Sequence, residues 1–293
     1  MKKLLSVLAF SVIVFTFQAK QLSLNLKAGQ IYQQEQKNQM DFQLKIGGNE
    51  MLIHGNFDLV VEYLIESAQA DAYEIQMSVK NITGDVGSDQ FYFSLDAASS
   101  QNNPLGAVLN LIVNKPIVYT MSKTGKILKM PDLSALSQDL KLSGDTTLYK
   151  FLEESMNANS GGLMQSFYPD HEVAVGDSWT ITSKIPNTGV EMTNTYTWKS
   201  SKGGKNTIEM ESENFNLDFS IPIRVDNGMS IRVQMEAKTG GVFQLNKKTG
   251  WINASESLFE AKSKLSIAPN AQIPEGAELP LNFKVVSKQS QVK

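Results

Sequence analysis

The sequence predicts a mainly β (α+β) protein: a large curved antiparallel sheet or open half-barrel, with a central helical segment packed on its concave face. Three observations lead there. Apolar residues recur at every second position through most of the chain, several alternating runs exceed ten residues, and helix-spaced apolar residues are confined to the middle. Successive side chains of a strand point to opposite faces, so such a run is a half-buried strand with one wet side. Clean alternation belongs to antiparallel sheets, because parallel ones are covered on both faces and read as continuous apolar stretches.

The chain opens with Lys2 and Lys3 followed by "LLSVLAFSVIVFTF", Leu4 to Phe17. That apolar run has the length of a secretory signal core, short of the roughly 20 residues a membrane-spanning helix needs. Residues 1–20 are therefore expected to be removed near positions 19–21. Ala19 suits the position before the cut, although Phe17 is large where a small residue is preferred. No cysteine follows, so no lipid anchor is expected, and the mature chain is expected to be periplasmic or secreted, without a membrane span.

Strands are expected at Gln21–Lys27, Tyr32–Ile46, Met51–Glu66, Tyr73–Ile82, Gln90–Leu95, Pro116–Met121 and Lys126–Met130. In the second half they are expected at Trp179–Lys184, Val190–Lys199, Asn206–Phe215, Met229–Lys238, Gly241–Asn246, Trp251–Ser266 and Leu281–Ser287. Alternation is cleanest in "MSIRVQMEAK", where Met229, Ile231, Val233, Met235 and Ala237 oppose Ser230, Arg232, Gln234, Glu236 and Lys238. "KIGGNE" (Lys45–Glu50) and "NKKTG" (Asn246–Gly250) read as hairpin turns. Between the halves, "NPLGAVLNLIVN" places Leu105, Val108, Leu109 and Ile112 at helix spacing after Pro104. "MPDLSALSQDL" (Met130–Leu140) and "GDTTLYKFLEESMNAN" (Gly144–Asn159) continue the helical signal. The expected organisation is a sheet half over 21–130, a helical connector over 131–170 and a second sheet half over 171–293, forming one continuous domain.

The halves echo each other. "AGQIYQQE" (Ala28–Glu35) and "VGDSWTIT" (Val175–Thr182) both read Gly-x-x-aromatic ahead of a strand, and Lys-Thr-Gly stands between two strands at Lys123–Gly125 and at Lys248–Gly250.

Composition excludes several functions. The chain has no cysteine, so disulfides, thiol catalysis and cysteine-ligated metals are impossible. Its 27 lysines and arginines face 30 aspartates and glutamates, and the only arginines are Arg224 and Arg232. Nucleic-acid recognition leans on arginine forks and a basic field, which this chain lacks.

The one concentration of polar chemistry is "SFYPDHEVAVGDSW", Ser166–Trp179, with Asp170, His171, Glu172 and Asp177. Adjacent side chains on an extended chain diverge, so Asp170, His171 and Glu172 cannot converge on one point alone. Asp177 or Ser178 is better read as holding a turn before Trp179. A metal or acid/base site would need His171 to meet His54 or a distant carboxylate. No Gly-x-Ser-x-Gly elbow and no phosphate-binding loop appears. The sequence supports no catalytic residue, no metal and no cofactor.

What remains is adaptable apolar surface. Met164, Met192 and Met235, near Tyr196 and Trp198, suit irregular apolar partners. With Leu105, Val108, Leu109 and Ile112 they are candidates to line a cavity for an apolar small molecule, although a filled core explains them too.

The N-terminal leader, "FYP…VAVGDSW" (Phe167–Trp179) and "NKKTGWI" (Asn246–Ile252) together resemble a widespread group of exported bacterial proteins of unknown function, over most of the mature chain. That resemblance brings no catalytic residues. More distantly, long antiparallel strands with central helices resemble the half-barrel of periplasmic lipoprotein carriers, whose concave sheet cradles acyl chains. The likeness is one of fold, and function does not follow from fold alone. The expected function is non-enzymatic binding of an apolar or amphipathic, lipid-like ligand. The alternative is a structural or protein-interaction module of the envelope with a filled core; a hydrolase using His54 or His171 ranks behind both.

Overall fold

The computed structural model describes residues 19–46, 49–96, 113–129, 167–185, 190–212, 215–222, 230–270 and 273–292. The first half contributes β1 (Ile31–Ile46), β2 (Asn49–Ala68), β3 (Ala72–Gly87), β4 (Tyr92–Asp96), β5 (Pro116–Ser122) and β6 (Ile127–Lys129). The second contributes β7 (Ser178–Ile185), β8 (Val190–Lys202), β9 (Lys205–Ser212), β10 (Phe215–Pro222), β11 (Ser230–Asn246), β12 (Ile252–Ile267) and β13 (Ala277–Gln291). All belong to one antiparallel sheet in the order β6-β5-β3-β2-β1-β13-β12-β11-β9-β8-β7, with β4 beside β3 and β10 beside β11. The sheet is open, with β6 and β7 at its edges. Among the described residues there is no helix. The helices expected at 103–114, 130–140 and 144–159 fall outside the described residues except at the end of the first, where Val113 bridges Val79 and Asn114 turns at φ 62° instead of continuing a helix.

The strand order explains the sequence echo. Outward from the seam, the first half runs β1, β2, β3, β5, β6; the second presents β12, β11, β9, β8, β7. Gly29-x-x-Tyr32 leads into β1 as Gly176-x-x-Trp179 leads into β7, and Lys-Thr-Gly turns precede both β6 and β12. The two halves stand head to tail in one sheet, and β13 fills the seam between β1 and β12.

One end of the sheet is curled shut. Residues 20–26 bond to distant turns: Lys20 pairs with Val173, Leu24 N–H donates to the Lys123 carbonyl (2.7 Å), and Asn25 N–H donates to the Thr249 carbonyl (2.8 Å). Lys123 follows β5 and Thr249 precedes β12, five strand spacings apart, or about 24 Å in a flat sheet. Consecutive residues can reach both turns only if the sheet bends round this end. Leu22, Leu24 and Leu26 point into the resulting core with Ile65, Ile75, Tyr73, Tyr119, Tyr168, Trp179, Trp198 and Trp251. The stretch expected as a strand at Gln21–Lys27 is thus an extended strap outside the ladders, its alternation set by burial of every second residue against the closed end.

Two further expectations are corrected. The strands expected at Met229–Lys238 and Gly241–Asn246 are one: β11 runs unbroken from Ser230 to Asn246, through Gly240-Gly241. A Cβ on Gly241 would stand 2.9 Å from the Glu256 carbonyl oxygen, so the glycine marks a close backbone approach. Asn206–Phe215 divides into β9 and β10, which pair with different stretches of β11. The hairpins at Lys45–Glu50 and Asn246–Gly250 form, the latter with Gly250 at φ 73° and its N–H on the Asn246 carbonyl.

Candidate ligand-binding face

The concentration of polar residues at Ser166–Trp179 is structural. Asp177 Oδ2 accepts from the Ala174 N–H (2.8 Å), and Asp177 N–H donates to the Ala174 carbonyl. Gly176 at φ 105° passes its N–H to the Trp198 carbonyl. Tyr168 donates its hydroxyl to the Gly250 carbonyl, and the Trp179 indole donates to the Phe167 carbonyl (2.9 Å). Tyr168 and Val173 are buried, so the segment is the floor of the closed end. His171 meets its neighbour Asp170 at 2.8 Å, both exposed, and that hydrogen bond lowers the Asp170 carboxyl below its usual range. His54 pairs with Asp41 across β1 and β2 at 2.6 Å, on the outer face and also exposed. The two histidines sit at opposite ends of the sheet. Among the described residues, no three metal-ligating side chains gather.

The register sorts the remaining side chains into two faces. The outer face is charged: Glu260 lies between Lys238 (2.9 Å) and Lys284 (3.7 Å), Glu256 meets Lys288, and Glu278 meets Lys264. The Lys238 ammonium beside it holds the Glu260 carboxyl low. Such pairs contribute little stability, but they make this face one for water. A membrane-crossing barrel would show an apolar outer band.

The inner face changes character along its length. On β2, Ile65, Tyr63 and Val61 are buried at the closed end, whereas Leu59, Phe57, Ile53 and Met51 are half-exposed toward the other end. The tyrosines of the closed end are held in their neutral form. Burial pushes the Tyr63 and Tyr196 hydroxyls up to about 12, and Tyr119 and Tyr168 above the usual tyrosine range.

At the open end, phenylalanines form a row across the sheet. Phe42 of β1 stands opposite Phe283 of β13 (5.9 Å between centroids), Phe283 stacks on Phe259 of β12 (5.2 Å), and Phe259 tilts toward Phe215 of β10 (6.2 Å). Ala237 and Ala261 lie beneath them, with Met192 and Met235 alongside. Phe42, Phe259 and Phe283 are only half-buried, and Phe93 of β4, on the same face, is 50% exposed. Offset aromatic rows add packing energy beyond their area, but a row left half-open presents apolar surface to water.

Between the closed end and this trough runs a belt of uncharged polar side chains. It comprises Asn194 of β8, Ser212 of β9, Thr239 of β11, Ser257 of β12, Ser287 and Gln289 of β13, and Gln34, Gln36 and Asn38 of β1. Ser287 donates to Asn38 (2.7 Å), Ser255 to Gln289 (3.2 Å), Gln289 to Gln34, and Gln34 to the Ile252 carbonyl (3.0 Å). Asn194 is buried, and its Oδ1 lacks a partner.

The sequence candidates divide on this map. Leu105, Val108, Leu109, Ile112 and Met164 lie outside the described residues. Tyr196 and Trp198 are buried in the closed-end core, and Met192 and Met235 are half-buried beside the phenylalanine row. Sequence reasoning missed the row and the belt. Phe42 and Phe283 each stand at alternating positions, but their meeting depends on β13 entering the sheet beside β1.

The chain is similar to a solved structure described as lipid-protein interactions in lipovitellin, with TM-score 0.49 and 11% identity over 92% of this chain and 26% of that one. It therefore spans about a quarter of that chain's length. It is also similar to OpdQ of Pseudomonas aeruginosa (TM-score 0.26, 8% identity, covering 90% of this chain and 100% of that one). Salmonella typhi OmpF in complex with daunomycin gives TM-score 0.28 and 7% identity, over 92% of this chain and 100% of that one. No curated protein matches the sequence. A model of a family of unknown function (DUF6263) matches residues 70–252.

Proposed function

The chain belongs to this family of unknown function, and from that premise we propose that it is a non-enzymatic exported protein holding an apolar or amphipathic, lipid-like molecule against its concave face. One observation carries the reading: the half-exposed row Phe42–Phe283–Phe259, on the inner face of a sheet whose outer face is charged. Apolar area left in water on a concave surface is what an apolar ligand removes, at about 25 cal/mol per Å² buried. The leader at Leu4–Phe17 and the lack of cysteine support export without a lipid anchor. The separated, exposed histidines support binding rather than turnover.

The test is saturable uptake of an apolar fluorescent dye by the purified protein, competed by lipid extract. Phe283→Asp, which puts a charge in the middle of the row, is expected to weaken dye uptake at least about tenfold with the β circular dichroism retained. Lack of saturable uptake, or uptake indifferent to Phe283→Asp in a folded protein, refutes the reading and favours a sheet interior filled by the protein itself.

A further inference from the structure

The inner rows of the central strands contain no side chain that is charged at neutral pH. On β1 they read Tyr32, Gln34, Gln36, Asn38, Met40, Phe42 and Leu44; on β13, Leu279, Leu281, Phe283, Val285, Ser287 and Gln289. On β12 they read Ser255, Ser257, Phe259, Ala261, Ser263 and Leu265, and on β11, Val233 to Leu245 at odd positions, again without a charge. Every Lys, Glu, Asp and Arg of these strands falls on the outer rows. A face meant only to be a core would have little use for a band of amides and hydroxyls across its middle, since each buried polar group costs stability unless bonded. A face meant for a charged headgroup would offer a counter-charge.

Resting on the ligand reading above, we infer that the belt is the headgroup site, and that the ligand is an uncharged amphiphile with a hydroxyl, ester or amide head: a monoacylglycerol or long-chain alcohol rather than a fatty-acid anion or a phospholipid. The head meets Asn38, Ser287, Ser257, Gln36 and Gln289, all half-buried side chains of adjacent central strands that can both donate and accept. The unpartnered Oδ1 of Asn194 extends this hydrogen-bonding capacity along the belt. The chain of the ligand runs from there along the phenylalanine row to the open end. From Asn38 to Leu44 is six residues of β1, roughly 20 Å at strand spacing, the reach of a long acyl chain. Below the belt the closed end is filled by the buried side chains of Tyr63, Ile65 and Trp251, so the chain of the ligand points the other way. Head-inward binding therefore places polar against polar and apolar against apolar along the whole length.

The experiment compares oleyl alcohol, monoolein and oleate, which share one chain and differ in the head, as competitors of the bound apolar dye at pH 8. Sonicated dioleoylphosphatidylglycerol vesicles form a fourth arm. The expected result is displacement by the alcohol and monoolein, with oleate at least about tenfold weaker because its carboxylate enters a site without a counter-charge. The vesicles should displace no better than oleate. In Gln36→Met with Ser257→Ala, monoolein should weaken about fivefold or more, measured against each protein's own dye affinity. Equal displacement by oleate and the alcohol, or monoolein affinity indifferent to the paired substitution, overturns headgroup selection while leaving the apolar trough intact. Absence of dye binding overturns the ligand reading and this inference with it.

Discussion

Replacing Gly250 by alanine tests the closed end, and Gly203→Ala supplies a matched control. Both glycines sit in left-handed turns, at φ 73° and φ 59°. Alanine pays about 1 kcal/mol for that conformation at either position. Around Gly203 a Cβ meets nothing within 4 Å, whereas at Gly250 it would stand 2.3 Å from the Ser23 carbonyl oxygen and 3.1 Å from the Leu24 Cα. Neither contact is the far end of a flexible side chain, so the strap over residues 22–26 must lift. Lifting it exposes Leu24, 5% exposed in the native fold, for about 2 kcal/mol. It also breaks the bonds from Tyr73 to the Leu24 carbonyl and from Asn25 to the Thr249 carbonyl, at about 1 kcal/mol each. Gly250→Ala is expected to lose about 5 kcal/mol in urea unfolding against about 1 kcal/mol for Gly203→Ala. Amide exchange at Asn25 should accelerate in the first variant alone. If the two variants unfold at the same urea concentration, the strap does not hold the sheet shut.

Alkaline pH should unfold the protein between about pH 10 and 12. Tyr63 and Tyr196 ionise near their ordinary value when unfolded but at about 12 when buried, so their contribution is complete below pH 10 and is lost as pH rises toward 12. Each loses about 3 kcal/mol over that window, read by circular dichroism against phenolate absorbance; phenolate formation near pH 10 in a folded protein contradicts their burial. Tyr168→Phe leaves the Gly250 carbonyl without its donor and should cost about 1–3 kcal/mol, whereas a change within the error of the urea midpoint would mean that water replaces the hydroxyl. His54→Ala and His171→Ala, both on exposed pairs, should leave the urea midpoint and dye binding where they were. A loss of binding in either would move the site to the outer face or the closed-end turn.

Much of the architecture was legible because it rests on local rules. The alternation through Met192–Trp198 and Val233–Ala237 set both strands and which side of each is buried, and the repeated Lys-Thr-Gly turns sit where the strand pattern put them. Asp177 was legible as a turn former because the bond to Ala174 spans three residues. Errors arose where local signals conflict with long-range packing. Gly240-Gly241 looks like a break, yet the backbone of β12 lies too close for a side chain. Leu22, Leu24 and Leu26 alternate like a strand, but their periodicity reflects a strap with one buried side. The phenylalanine row was not legible at all: Phe42 and Phe283 lie 241 positions apart, and only strand order joins them.

The placement of β13 has a consequence for how the molecule comes to exist. It bonds to β1 along one side and to β12 along the other, and it is made after both. Until it arrives, an emerging polypeptide carries two long bare strand margins, each able to recruit the wrong neighbour. Completion must therefore wait for translation to pass Gln291, and a premature stop before Ala277 would yield two lobes with no keystone. Such a product would be prone to clumping, however sound each lobe.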